Sequence, residues 1–226
     1  MTATSCPSLR PPAFLTVCVL ILTALNGCGY SGGEALFMFG LFQRPKIKAE
    51  FKLTAGPVVV LVDDLREHCY WPEATTILAE QLAEQLKEHN AAKLLIPHAA
   101  LQRLRQSYPN FDELSYRRIA QLLHAEQAIA VEVRSFFATV DPTDATAAAS
   151  MSAAIKVIDA REETQQSKAR LWPRSPGGRI FQAEISADRV ARAKTRKGIL
   201  EVLTGALAEK MAKSFYDRKM DDFEKQ

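Results

Sequence analysis

Long hydrophobic runs are scarce in this chain. The longest, residues 13–25, falls well short of the ~20 residues that a membrane-spanning helix needs, which argues against a polytopic membrane protein. Cysteine is rare as well, with four in 226 residues and no CxxC pair, and none of the four histidines sits at i, i+4 from another. The established zinc, dithiol and helix-borne metal motifs are thereby excluded. Glycine numbers ten; Gly177-Gly178 reads as a turn pair, and no glycine-rich loop follows a strand to cradle a phosphate. A nucleotide has no visible seat, and no cofactor is expected. Charge of one sign is also lacking. The 29 Lys and Arg against 26 Asp and Glu leave a net charge of +3, too little for the clustered basic surface of a nucleic-acid binder.

What is present begins with a leader. Arg10 precedes the apolar run of residues 13–25, the layout of a secretory signal. Leu25-Asn26-Gly27-Cys28 then resembles the bacterial lipobox, with Leu at −3, a small residue at −1 and the Cys that becomes the acylated first residue. Asn26 departs from the usual small or apolar residue at −2. The resemblance implies that residues 1–27 are a signal peptide and that Cys28 carries lipid. Each buried methylene contributes ~0.8 kcal/mol, so three acyl chains make a lasting anchor. Gly29 stands where the retention rule of these lipoproteins would place Asp, which favours the outer membrane. Cys6 and Cys18 would leave with the leader, making Cys69 the remaining thiol and excluding a disulfide within the mature monomer.

Residues 28–50 are expected to be a lipidated tether. They include the apolar cluster of residues 35–42, which either rests on the membrane surface or packs back on the domain. A polar, basic stretch, residues 43–52, leads to an expected edge strand near Phe51. The organising stretch is Val58-Val59-Val60-Leu61-Val62-Asp63-Asp64: five apolar residues, four of them β-branched, ending in two carboxylates. Such a run is too short for a helix and lacks the alternation of a half-wet strand, so it predicts a central strand buried on both faces.

The spacing of Ala74, Ile77, Leu78, Leu82 and Leu86 predicts a helix over 73–89, with Pro72 at its first turn and Asn90 as its stop. Residues 93–97 read as a second strand, which makes a parallel right-handed crossover. A short helix over 98–107 and another lined by Tyr116, Ile119, Ala120 and Leu123 follow, the latter with Asp112 as its expected cap. Ile129, Val131 and Val133 alternate with polar or small neighbours, as do Ala153, Ile155 and Val157, predicting half-exposed strands. Turns are expected at 141–144 and 161–167, short strands at 169–173 and 180–185, and a last amphipathic helix over 194–215. The fold class that follows is α/β with an α+β second half. It is a two- or three-layer sandwich on a mixed sheet in the order β-α-β-α-β-β-β-(β)-α. Residues 51–216 form one domain, and 217–226 a charged tail.

Cys28, the Val58–Asp64 strand, Ala125-Glu126-Gln127-Ala128-Ile129, Val157-Ile158-Asp159-Ala160 and Leu171-Trp172-Pro173 together resemble a family of bacterial envelope lipoproteins that is mostly uncharacterised. In fold order the chain is also similar to the curli-secretion lipoprotein, the amino-terminal domain of the Tol-system propeller protein and the activator lipoproteins of penicillin-binding proteins. The likeness runs over residues 51–215 and rests on loose structural motifs. His124 stands where these relatives often carry Gly at a helix end. The resemblance implies a periplasm-facing envelope location and transfers no catalytic residue.

Candidate chemistry gathers at the end of the central strand. Asp63 and Asp64 sit where open α/β sheets place ligands, Glu67, His68 and Cys69 follow at once, and His98 ends the neighbouring strand. The cluster Asp63, Asp64, Glu67, His68 and His98 suits a divalent metal or a cationic ligand. The competing reading makes the aspartates hydrogen-bond acceptors for loop amides. Cys69 beside His68 or His98 gives a weaker case for a nucleophile. Trp71 and Trp172 read as loop anchors or a binding patch, and Arg189, Arg192, Lys194, Arg196 and Lys197 as a solvated basic run or a lipid-facing one. The sequence therefore favours a non-catalytic binding or scaffolding lipoprotein whose partner is another envelope protein or a second copy. A subunit of a secretion or assembly complex and a metal-dependent hydrolase are the rival readings.

Overall fold

The Val58–Asp64 stretch forms the strand Pro57–Asp63, and the rest of the domain is arranged on its two sides. The structure, a computed structural model, describes residues 46–138, 148–161 and 168–219. The expected leader, Cys28, the apolar cluster of residues 35–42, the turn at 141–144 and most of the turn at 161–167 lie outside these residues. The chain divides into two units, Lys46–Arg218 and Met1–Pro45 with Lys219–Gln226. The architecture below is that of the first.

In chain order the strands are β1 (Lys46–Ile47), β2 (Pro57–Asp63), β3 (Leu94–Leu95), β4 (Gln127–Ala138), β5 (Ala149–Asp159), β6 (Arg170–Trp172), β7 (Arg179–Ile185) and β8 (Arg218–Lys219). The helices are α1 (Glu73–Glu88), α2 (His98–Ser107), α3 (Tyr116–Leu122), α4 (Ala187–Ala193) and α5 (Arg196–Ala212), with a 3-10 turn at Phe111–Glu113. Six strands make one mixed sheet in the order β3-β2-β4-β5-β6, with β7 also paired to β5. β2 runs parallel to β3 and β4, and the pairs β4–β5, β5–β6 and β5–β7 are antiparallel. This is the expected mixed α/β sheet, parallel in its first half and hairpin-built in its second.

The larger core lies on one face. Val58 and Val60 of β2, Ile129, Val131 and Val133 of β4, and Met151, Ala153, Ile155 and Val157 of β5 pack there against α1 and α5. Burying each such aliphatic side chain contributes roughly 1.5–3 kcal/mol. Leu78, Leu82 and Leu86 give α1 its apolar face, and Ile199, Leu203, Leu207 and Met211 do the same for α5. Gln81 ties the two helices together: it donates to the Glu201 carbonyl at 3.0 Å and accepts from the Thr204 hydroxyl at 2.5 Å. A smaller core fills the other face, where Val59, Leu61 and Ala128 meet Phe111, Ile119 and Ala120, with Leu101 and Leu104 of α2 beside them. The sheet is therefore covered on both sides at β2 and at the adjoining ends of β4 and β5, and its second face is open around Phe137, Ser152 and Ile180, so the two-layer and three-layer forms coexist in one molecule.

Two close fits fix the start of β2. Gly56 lies so near the Glu126 carboxylate that an added Cβ would sit about 2.1 Å from Glu126 Cδ, and Thr54 Oγ1 donates to Glu126 Oε2 at 2.8 Å. The amides of Glu50 and Phe51 both donate to the Ser214 carbonyl, fastening the entry of the domain to its exit.

Two expected details are corrected, and one element is added. The strand expected near Phe51 lies earlier, at Lys46–Ile47. Asp112 belongs to the 3-10 turn, and α3 is capped by Ser115, whose hydroxyl accepts from the Arg118 amide at 3.2 Å. The last helix, α5, falls within the expected 194–215, and a short helix that was not expected, α4, precedes it. Lys194 adopts φ 58° and ends α4, and Thr195 starts α5 by accepting from the Gly198 amide at 3.0 Å. Both helices reach the large core, α4 through Val190 and α5 through Ile199.

Candidate functional site

The carboxyl end of β2 opens into a cleft of about 480 Å³ that Asp63, Asp64, Glu67, Cys69, Thr75 and Arg105 help to line. Its floor follows from how the chain leaves the strand. Glu67 takes φ 51° and its amide donates to the Asp64 carbonyl at 3.0 Å, closing a tight turn. The two Asp64 carboxylate oxygens then accept from the amides of His68 at 2.9 Å and Cys69 at 2.6 Å. Asp64 thus acts as the acceptor of the loop amides.

The same loop is latched further on by Tyr70. Its hydroxyl donates to the Ala138 carbonyl at 2.5 Å and accepts from the Ala138 amide at 2.7 Å, and its ring meets Trp71 and Phe136 edge-on. Trp71 is buried, with the Arg196 guanidinium 4.9 Å from its ring and the Arg196–Glu73 ion pair at 2.7 Å beside it. Trp172 of β6 packs against Phe215 and Phe51. Both tryptophans hold chain segments to the core.

Asp63 faces Tyr116, whose hydroxyl lies 3.5 Å from Asp63 Oδ2 and whose phenol is pushed upward by burial, then by the Asp63 charge. The Cys69 thiol is pushed up to about 12, first by burial and then by the neighbouring Asp64 charge. It stays protonated near neutrality, which removes the thiolate that a nucleophile requires. His98 opens α2; its Nδ1 is buried without a hydrogen-bond partner, and desolvation lowers its pKa. The structure thus brings Asp63, Asp64 and Glu67 to one cleft, while His68 and His98 stay off its lining. Among the described residues no three His, Cys, Asp or Glu side chains are placed to hold a metal ion.

A second surface escaped the sequence reading. On the side of the sheet away from α1 and α5, the antiparallel half carries Phe137 of β4 and Ile180 of β7, which are 52% and 66% exposed. Between them the Ser135 and Ser152 hydroxyls meet at 2.6 Å, and Glu132 pairs with Arg134 at 3.0 Å and with Lys156 at 3.7 Å. Alternation announced one wet face for these strands. The two apolar residues left standing on it were visible only once the pairing of β4, β5 and β7 was known.

The basic run is partly engaged at home. Arg196 pairs with Glu73, Lys197 lies 3.7 Å from Glu201, and Arg192 Nε donates to the Asp188 carbonyl at 3.1 Å.

The class these features define is a mixed α/β sandwich with an acidic loop cleft at one strand end and an open sheet face. No protein-family model and no curated protein matches the chain. Among solved structures it is similar to the hypothetical protein CT253 from Chlamydia trachomatis, at 19% identity over 71% of this chain and 97% of that one, with a TM-score of 0.44. It is also similar to the PelC dodecamer from Paraburkholderia phytofirmans, at 12% identity over 77% and 99%, with a TM-score of 0.45. A third is lipoprotein GNA1162 from Neisseria meningitidis, at 14% identity over 69% and 97%, with a TM-score of 0.42. Among the described residues no helix is long and apolar enough to cross a membrane.

Proposed function

We propose that the chain is a lipid-anchored, periplasm-facing protein of the bacterial envelope, acylated at Cys28 after loss of residues 1–27 and sorted to the outer membrane. Its α/β domain serves as a non-catalytic binding or scaffolding module for another envelope component. Leu25-Asn26-Gly27-Cys28 behind its apolar run supports the anchor. One observation carries the binding role: the antiparallel half of the sheet leaves Phe137 and Ile180 exposed on a face that no described helix covers. A partner that covers this face would bury both side chains, a gain that supports reading it as a contact surface.

Two measurements test the two parts. Cys28→Ser abolishes labelling by fatty acid and moves the protein out of the membrane fraction; a variant that stays membrane-bound overturns the anchor. Phe137→Asp together with Ile180→Asp leaves thermal unfolding within a few degrees of the parent while removing the protein's crosslinked adduct in native envelopes. Retention of the same adduct overturns the assigned face.

A further inference from the structure

At the amino end of β2, away from the acidic cleft, lies a second cleft of about 470 Å³ between the segment that enters the domain and the one that leaves it. Lys52, Thr54, His89, Asn90, Lys93 and Asp217 are among its lining residues, and His89 stacks on Tyr216 with centroids 4.0 Å apart and 14° between planes. Lys46, Lys48, Lys52 and Lys93 are all exposed here. Among the described residues Asp217 answers them with one carboxylate. It accepts from the Ala49 amide at 2.8 Å, with Lys52 Nζ 3.9 Å away, and its pKa is lowered by that amide and then by Lys52, Lys48 and Lys46. The neighbouring acids point elsewhere: Glu126 accepts from Thr54, and Glu50 pairs with Arg179. Among the described residues positive charge is left in excess.

This pole is also where the tether arrives, since Lys46 opens the described domain. The 17 residues from 29 to 45 can reach at most ~60 Å. An acyl anchor at Cys28 therefore keeps the lysines no more than ~60 Å from the lipid headgroups, and a weak attraction suffices because most of the translational cost of docking is already met.

We propose that this lysine-rich pole docks onto the anionic lipid headgroups of the membrane that holds the acyl chains. The proposal rests on the lipid-anchor reading above. Each lysine near an anionic surface strengthens the contact about fivefold, and the attraction fades beyond a Debye length of ~8 Å. Docked this way, the domain carries the Asp63 cleft at the far end of a seven-residue strand, roughly 20 Å from the pole.

The test uses the full lipidated chain in vesicles of phosphatidylcholine alone or with phosphatidylglycerol added, with acetylation of each lysine followed by mass spectrometry. The expected result is about fivefold or greater protection of Lys46, Lys48, Lys52 and Lys93 in the anionic vesicles, lost at high salt, with Lys168 and Lys197 unchanged. Lys52→Glu with Lys93→Glu should remove the protection of Lys46 and Lys48. Equal rates in the two vesicles overturn the proposal while leaving the anchor intact. A chain that fails to float even with neutral vesicles overturns the anchor and the docking together. Protection of the same four lysines by inorganic phosphate on neutral vesicles would mark a small-anion site instead and also overturn the proposal.

Discussion

β2 and β5 are both central strands of one sheet, yet they live in different surroundings. β2 sends Val58 and Val60 toward α1 and Val59 and Leu61 toward α2 and α3, so each side chain of its middle meets packed neighbours. β5 sends Met151, Ala153, Ile155 and Val157 to the large core, while on its other side Ser150, Ser152 and Lys156 remain partly exposed and only Ala154 is buried before Ile158 reaches the smaller core. The crossovers cause the difference. A parallel connection has to pass over the sheet and deposits helices on its faces, whereas hairpins turn back in the plane and deposit nothing. The half built by crossovers is therefore the enclosed block, and the half built by hairpins is the one with a surface to offer.

The sharpest way to break this contrast is Val60→Asp. An unpaired carboxylate in the core of a strand covered on both faces should abolish folding, and a soluble variant with normal thermal unfolding would show that β2 is not enclosed. Next is Leu203→Ala in α5, beneath the face common to both halves, which should cost about 2–5 kcal/mol in denaturant unfolding. Tyr70→Phe tests the latch between the loop after β2 and the end of β4. Loss of both Ala138 hydrogen bonds should cost roughly 1–3 kcal/mol, with faster hydrogen exchange at Ala138. The smallest effect belongs to the open face: Gln182→Thr on β7 should change stability by no more than about 0.5 kcal/mol, and a larger loss would mean that something covers that face.

Much of this was legible before any coordinates. The β-branched run became β2, the spacing of Leu78, Leu82 and Leu86 became α1, and residues 98–107 became α2 with the expected bounds. These signals are local, since burial on one face of a helix or both faces of a strand is written into consecutive residues. Helix ends were less legible. Asp112 and Ser115 both suit a cap, and the choice depends on which one has the extended backbone that lets its oxygen reach back to an amide. The position of His124 was visible in another way: it adopts φ 56°, the left-handed conformation that explains why a glycine suits that helix end. At the candidate site, the convergence of Asp63, Asp64 and Glu67 follows from their adjacency in sequence. The absence of His98 from the cleft lining follows from its place along α2: Arg105, seven residues on and on the same helix face, lines the cleft, and His98 sits about two turns away.

Asp64 carries a practical warning for anyone probing the acidic cleft by mutagenesis. Because its two oxygens hold the His68 and Cys69 amides, alanine at 64 would let the loop collapse and would score as essential for any ligand or for none. Asp63→Asn is the cleaner instrument: it erases a negative charge at the same strand end, keeps an oxygen for the Tyr116 hydroxyl, and leaves the loop amides their acceptor.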